Sequence, residues 1–488
     1  MRQKIKELTR DTAVYGISTI VGRFLNFLLT PFYTHFITPA EMGIQTNVYA
    51  YIAFLNIVYV YGMETAFMKF RARTEGADPR RVYSTASWTL GLTTVGLSLL
   101  LLLLRRPMLG LMAIPAGSAR LFLYLPAILL FDTLAVIPYA NLRMERRAGR
   151  FAAIRLANIG LTLALNLLFF LKLHLGLEAI FAANLAASVF SFLLLLPDIR
   201  RNLRWLLDRA LLRQMLDFGL PYLPANLASI VVQVIDRPVV LALTSLATLG
   251  LYQTGYKMGI FMMLVVSMFQ YAWQPFFLNH AKDPEARPLF ARVLTLFVLA
   301  AALLWAVVSL FIEEAARIQF LPGRTLIAGS FLPGLVVVPI VLLAYLFNGL
   351  YVNFQAGVTI SGKNRCLPLV TGAGALVNVG ANFLLIPRFG IVGAALATLA
   401  SYVVMAGGLL HFSQKYYPVP YEFGKVLRIL GLVLVTGGLY YLLYFRGCLT
   451  PGLKALMLLG FIAALPLLRV VDRREMGTVL QMLRRRAP

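Results

Sequence analysis

The chain is a succession of long apolar segments with nothing between them large enough to fold as a water-soluble domain. Segments of this length and composition fit the hydrocarbon of a bilayer, where a helix satisfies its own backbone groups. Spans are expected at roughly 12–37, 42–68, 83–104, 119–141, 151–171, 176–197, 216–243, 248–279, 289–311, 325–355, 367–387, 390–413, 425–445 and 453–470, which makes fourteen. The expected class is an all-α polytopic membrane protein, so any chemistry takes place in or at the bilayer. The basic start runs directly into the first apolar segment, and the first helix is expected to serve as its own targeting signal.

The first hairpin is written twice. At an offset of 207 residues, Tyr15 falls on Tyr222, Pro31 on Pro238, Ala40 on Ala247, Gly43 on Gly250 and Tyr49 on Tyr256. Polar positions correspond as well, Thr19 with Asn226 and Asn26 with Gln233. In the first copy Thr12, Gly16, Thr19, Arg23, Asn26, Thr30 and Tyr33 recur at helical spacing, and Tyr222, Asn226, Ser229, Gln233 and Asp236 repeat that stripe. A full-length polar stripe is of no use against lipid, so the two related helices are expected to face each other across a wet cavity. A second correspondence, at an offset of 214, sets Gly176-Leu-Glu-Ala-Ile-Phe-Ala-Ala-Asn-Leu-Ala against Gly390-Ile-Val-Gly-Ala-Ala-Leu-Ala-Thr-Leu-Ala. Each follows an asparagine-bearing span (Asn158 and Asn166; Asn378 and Asn382).

Six spans per copy put both copies in the same orientation, related by a pseudo-twofold axis along the membrane normal, an arrangement found in transporters. The expected organisation is an N-terminal six-helix lobe over 1–197, a basic amphipathic linker over 198–215 on the inner surface, and a C-terminal six-helix lobe over 216–413. Two extra helices and a basic tail fill 414–488.

A formal net charge of +25 raises the question of nucleic acid, and its distribution answers it. With both termini cytoplasmic, inner segments hold 32 of the 45 Lys and Arg and outer segments 9. The remaining four, Arg23, Arg155, Arg237 and Lys257, lie within spans. This is the positive-inside pattern, which favours an even span count and reports topology and anionic-lipid contact, with no nucleic acid implied. Cys366 and Cys448 fall on opposite faces of the membrane, so no disulfide is expected, and His35, His174, His280 and His411 have no metal-site spacing. No metal or cofactor is expected.

Several turns give the chain a family likeness. Thr38-Pro-Ala-Glu-Met-Gly follows span one, Ser361-Gly-Lys-Asn separates spans ten and eleven, and Asn382-Phe-Leu-Leu-Ile-Pro-Arg-Phe-Gly-Ile-Val-Gly-Ala-Ala enters span twelve. With two six-span bundles and two extra helices, the sequence resembles the multidrug/oligosaccharidyl-lipid/polysaccharide (MOP) superfamily, and within it the Wzx-type oligosaccharide-lipid flippases. The resemblance implies a V-shaped alternating-access transporter in the bacterial inner membrane. It would carry an undecaprenyl-diphosphate-linked oligosaccharide to the outer leaflet for O-antigen or exopolysaccharide assembly, near a polysaccharide polymerase machinery. Arg23 resembles the cationic cavity residues of such flippases.

Arg23 is also singled out by physics. An arginine at a helix centre costs about 2.5–3.5 kcal/mol on insertion scales, and a phosphate oxygen about 4 Å away returns about 4 kcal/mol at an effective dielectric of 20. Two readings follow: contact with a diphosphate, or a structural pair with Asp132 in span four. Lys257 is either a second cavity cation or a snorkelling side chain. Thr19, Asn26, Asn226 and Gln233 are expected substrate contacts. Asp132, Asp236 and Glu64 are the candidate coupling or ion-pair acids, Glu64 most simply paired with Lys69 and Asp236 extending the stripe while Arg237 reaches the headgroups. Arg155 reads as interfacial.

Two rival functions are weighed. A multidrug/cation antiporter of the same fold would favour cavity carboxylates, and acids are scarce, 20 in all. A membrane glycosyltransferase or polymerase would need paired acids, and Glu313-Glu314 is the only adjacent pair. Gly357-Val-Thr-Ile-Ser-Gly-Lys363 resembles a phosphate-binding loop, yet Asn364 stands where a magnesium-holding hydroxyl belongs and an apolar helix precedes it, so it reads as a helix-ending turn. No catalytic residue is expected.

Overall fold

A computed structural model describes residue 24 and residues 27–73, 78–281, 283, 285–321 and 323–469. Apart from a small antiparallel hairpin, β1 (Gln319–Leu321) and β2 (Arg324–Thr325), its regular structure is helical. Eleven described helices are long and apolar enough to cross a membrane, or twelve if one bent pair counts as a single span. Most of the first expected span lies outside the described residues, and its described part is a helical segment over 27–34, here α1. The last expected span is a 17-residue helix over Pro451–Leu467.

The helices follow in order as α2 (Pro39–Val60), α3 (Met63–Arg73), α4 (Pro79–Leu103), α5 (Arg105–Leu111), α6 (Tyr124–Met144), α7 (Ala148–Leu171), α8 (Glu178–Asn202), α9 (Arg209–Gly219), α10 (Tyr222–Val234), α11 (Asp236–Leu243) and α12 (Leu246–Met258). Then come α13 (Ile260–His280), α14 (Ala286–Arg317), α15 (Val338–Ile360), α16 (Cys366–Phe389), α17 (Ile391–Tyr416), α18 (Phe423–Phe445) and α19 (Pro451–Leu467). Expected span seven is broken. Between α9 and α10 the chain bends by 42°, and a further break at Ile235 precedes Pro238, which has no N–H to offer the preceding turn.

The described residues cluster into two compact units, one running to Thr254 and adding Ala375–Ala394, the other holding Gly255–Gly374 and Ala395 onward. In the first, α6 is central and packs against α2, α3, α4, α7 and α8. In the second, α15 is buried on nearly every face, packed by α13 and α14. Large apolar side chains elsewhere point outward, Leu376 77% and Val435 70% exposed. So much apolar surface is stable only against lipid.

Local chemistry explains the turns. Thr38 caps α2, its hydroxyl accepting from the Glu41 N–H at 3.3 Å while the Glu41 carboxylate accepts from the Thr38 N–H at 2.8 Å, with Pro39 in the first turn. The second copy repeats the cap at the same offset of 207: the Thr248 N–H donates to the Ser245 hydroxyl at 3.2 Å. Gly176 and Gly390 share a left-handed φ of 56°, the conformation only glycine adopts freely. The turns closing α6 and α15 match bond for bond: Arg147 N–H to Leu142 C=O at 2.9 Å, and Lys363 N–H to Val358 C=O at 3.0 Å. The Gly357–Lys363 stretch is thus a helix end, as its sequence context indicates. Asn166 and Asn382 each donate a side-chain amide to the carbonyl four residues back, both at 2.8 Å. The duplication therefore extends from composition to individual hydrogen bonds.

Candidate functional site

The first unit encloses a cavity of about 490 Å³, walled by the ends of α2 and α3, by α6, α7 and α8, and by Asn226 of α10. Its charged lining is two arginines, Arg143 and Arg155, and two carboxylates, Glu64 and Asp132. Asn56, Asn158, Asn184, Ser188 and Ser191 supply neutral hydrogen-bonding groups.

The four charges are not equivalent. Arg143, from the last turn of α6, forms an ion pair with Glu64 of α3, each side chain 35% exposed. Arg155 lies face-on to Tyr139, its guanidinium carbon 4.3 Å from the ring centroid, with Phe151 at 5.6 Å. It acts electrostatically on Asp132, but among the described residues it has no direct carboxylate partner. A cation–π contact is worth about 0.5–2 kcal/mol, whereas charge-assisted bonds from a guanidinium to phosphate are roughly twice as strong as neutral ones and come in pairs. Arg155 is therefore held lightly and can exchange Tyr139 for an anionic ligand.

The neutral groups are fixed by their neighbours. The Asn158 amide donates to the Ser191 hydroxyl at 2.7 Å and to the Ala187 carbonyl at 2.8 Å. The Asn184 amide donates to the Tyr49 hydroxyl at 2.7 Å, and the Tyr49 ring stacks on Phe181 at 5.4 Å. These bonds hold a polar wall in place inside an apolar bundle.

Of the residues expected at the site, Asp132, Glu64 and Asn226 come together in this cavity. Arg23, Thr19 and Asn26 lie outside the described residues. The lower end of the first stripe turns elsewhere, since the Tyr33 hydroxyl donates to Asn166 of α7 at 2.9 Å and its ring packs against Phe170. Gln233 is exposed, its amide donating to the Ser229 carbonyl at 3.3 Å. Lys257 is half-buried in the second unit.

Two expected contacts are corrected. Glu64 pairs with Arg143 across helices, while the Lys69 ammonium lies 3.3 Å above the Phe218 ring centroid. Arg155, an exposed side chain in the second turn of α7, which begins at Ala148, also lines the cavity. Arg237 does not reach outward: its side chain is 12% exposed, 3.5 Å from Asp236 and 3.2 Å from Gln253. The helix break is the cause. The Arg237 N–H turns to the Asp236 carboxylate at 3.0 Å, and the guanidinium takes the Gln233 carbonyl left behind. Asp236 itself is 2% exposed and accepts from the Tyr252 hydroxyl, so it is consumed in bracing α11 against α12.

Arg155 carries a signal that sequence could have offered. Arg155, Asn158, Thr162 and Asn166 recur at spacings of 3, 4 and 4, a polar stripe along α7. The acidic pair Glu313-Glu314 is also accounted for: Lys454, 2% exposed, lies 2.7 Å from Glu314 and 3.6 Å from Glu313, and Arg317 pairs with Glu313 at 2.9 Å.

Comparison with known proteins places this geometry. Residues 33–320, more than half of the chain, match the family described as polysaccharide biosynthesis protein. No curated protein sequence matches the chain significantly. Among solved structures, the fold is similar to that of the lipid II flippase MurJ in an inward closed conformation, with a TM-score of 0.69 at 15% identity over 93% of this chain and 98% of that one. It is also similar to an inward-facing multidrug resistance MATE family transporter of the MOP superfamily, with a TM-score of 0.66 at 13% identity over 80% of this chain and 94% of that one. A third likeness is to the Vibrio cholerae MATE transporter VcmN in the bent form, with a TM-score of 0.55 at 16% identity over 84% of this chain and 96% of that one. The chain is a multi-pass membrane protein of the polysaccharide biosynthesis protein family, with an all-α fold similar to that of these MurJ and MATE transporters.

Proposed function

We propose that the protein is a flippase that moves an undecaprenyl-diphosphate-linked oligosaccharide from the cytoplasmic to the outer leaflet of the bacterial inner membrane. The glycan would pass to a polymerase machinery for O-antigen or exopolysaccharide assembly. The observation that carries this reading is Arg155, a guanidinium in a polar cavity with an aromatic ring for a partner and no direct carboxylate among the described residues. A diphosphate would complement that charge, and the surrounding asparagines and serines suit sugar hydroxyls. Family membership and likeness to a lipid II flippase support it. Arg23 would add positive charge to this cavity, with Thr19 and Asn26 as further substrate contacts. The reading includes cytoplasmic termini, six-helix lobes over 1–197 and 216–413 joined by 198–215, and alternating access.

A multidrug/cation antiporter is the second reading, favoured by Glu64 and Asp132 in the same cavity. Against it, Glu64 is already paired with Arg143. An enzyme is disfavoured because the Glu313-Glu314 pair is committed to Lys454 and Arg317. The two transport readings separate in cells that lack the protein. Lipid-linked glycan accumulating on the inner leaflet, with unchanged drug tolerance, supports the flippase; drug sensitivity with normal surface polysaccharide removes it.

A further inference from the structure

We infer that Arg105 and Arg120 frame a second site, one for the phosphate of a lipid headgroup at the opposite end of the N-terminal bundle. The two guanidiniums line a cavity of about 460 Å³ with Tyr124, Glu178, Leu123 and Leu185. The Arg105 Nε is buried with no hydrogen-bond partner, and the same side chain makes only a long 3.4 Å bond to the Ala119 carbonyl. Glu178 also lines the pocket, where its carboxylate accepts from the Tyr124 hydroxyl at 2.7 Å, leaving two guanidiniums against one carboxylate. Among the described residues neither Arg105 nor Arg120 has a carboxylate within salt-bridge distance, a positive pocket left open to an anion.

Position points to a lipid. Arg105 lies two residues beyond the end of α4, whose last residue, Leu103, is 82% exposed, as a side chain facing acyl chains would be. Leu123 is exposed at the rim, apolar footing for the start of a chain. In the topology set by the charge distribution this loop is on the outer side, where Lys and Arg are selected against. Three of the nine outer cations nevertheless gather here as Arg105, Arg106 and Arg120. A guanidinium pair offers phosphate a forked, charge-assisted grip. The ligand class is a phosphate ester or diphosphate on a lipid, from bulk phospholipid or from a polyprenyl diphosphate carrier.

The test is lipid retention by the purified full-length protein in detergent, read by native mass spectrometry. Phosphatidylglycerol, undecaprenyl diphosphate, diacylglycerol and inorganic phosphate serve as probes. The wild type is expected to retain at least one phosphate lipid, and Arg105→Gln with Arg120→Gln to retain it about tenfold less, while Arg106→Gln behaves as wild type. Preference for phosphatidylglycerol supports the site with bulk lipid as its source, and preference for undecaprenyl diphosphate supports it with the carrier as source. Equal retention by the double variant, equal retention of diacylglycerol, or inorganic phosphate bound as well as the lipids would each overturn the assignment. If the double variant does not fold, Arg120→Gln alone, at an exposed position, decides the matter in the same way.

Discussion

Gly43 and Gly250, equivalent positions in the two copies of the hairpin, each close on the other copy's backbone. A Cβ on Gly43 would stand 1.9 Å from the Leu246 carbonyl oxygen, and one on Gly250 would stand 1.9 Å from that of Pro39. Leu246 is itself the equivalent of Pro39, so the contact is reciprocal, a local twofold written into one chain. Gly43→Ala or Gly250→Ala forces backbone to move, at about 1–3 kcal/mol each. Because both share one contact, the double variant is expected to cost less than the sum. Unfolding midpoints in detergent check this, and full additivity contradicts a shared contact.

The two cavity arginines should fail in different ways. Arg155→Met removes a cation with no direct carboxylate partner, so stability changes little while transport falls at least tenfold, a barrier increase of about 1.4 kcal/mol. Arg143→Met strands Glu64 and is expected to destabilise by about 1–3 kcal/mol. Paired transport and unfolding measurements distinguish the two; a large stability loss in Arg155→Met contradicts the reading of a lightly held cation.

The linker carries an acid-sensitive cap. Asp208 precedes α9, and the Leu211 N–H holds its carboxyl below the usual range; desolvation opposes this, and Arg81 and the Ala210 N–H add to the lowering. A depressed folded pKa contributes stability that is present above the unfolded value, about 3.9, and is lost as pH falls through the folded value. Asp208→Asn is therefore less stable than wild type at neutral pH, and the two midpoints converge below the ordinary carboxylate range. A gap that persists or widens in acid contradicts this sign.

In the C-terminal hairpin a buried lysine, Lys454, is paired with two partly exposed glutamates, Glu313 and Glu314. Lys454→Met leaves Glu314 beside an apolar side chain and is expected to cost about 3 kcal/mol, seen as a lowered unfolding midpoint. Adding Glu314→Leu should recover part of the loss, since replacing both partners with apolar groups removes the stranded charge. No recovery would show that Lys454 acts through packing alone.

Much of the architecture could be read from residues chosen for backbone reasons. Gly43, Gly250, Gly176 and Gly390 are needed where backbones touch or φ is positive, so their spacing exposed the duplication. Thr38-Pro-Ala-Glu was legible as a turn because its capping is local. The cavity was less legible, being assembled from α2, α3, α6, α7, α8 and α10. Arg155 lies near the start of its helix, where one dimension cannot separate an interfacial side chain from an inward one. Asp236 and Arg237 misled because a helix break at Ile235 reassigns hydrogen bonds that an unbroken helix would have kept.

Reconstitution in liposomes tests the central claim most directly, by following transfer of an undecaprenyl-diphosphate glycan between leaflets for wild type, Arg23→Ala and Arg155→Met. The account predicts protein-dependent transfer that falls at least tenfold in Arg155→Met and falls also in Arg23→Ala. Transfer that proceeds equally well without either arginine, or no transfer of any lipid-linked glycan under any imposed gradient, would contradict it.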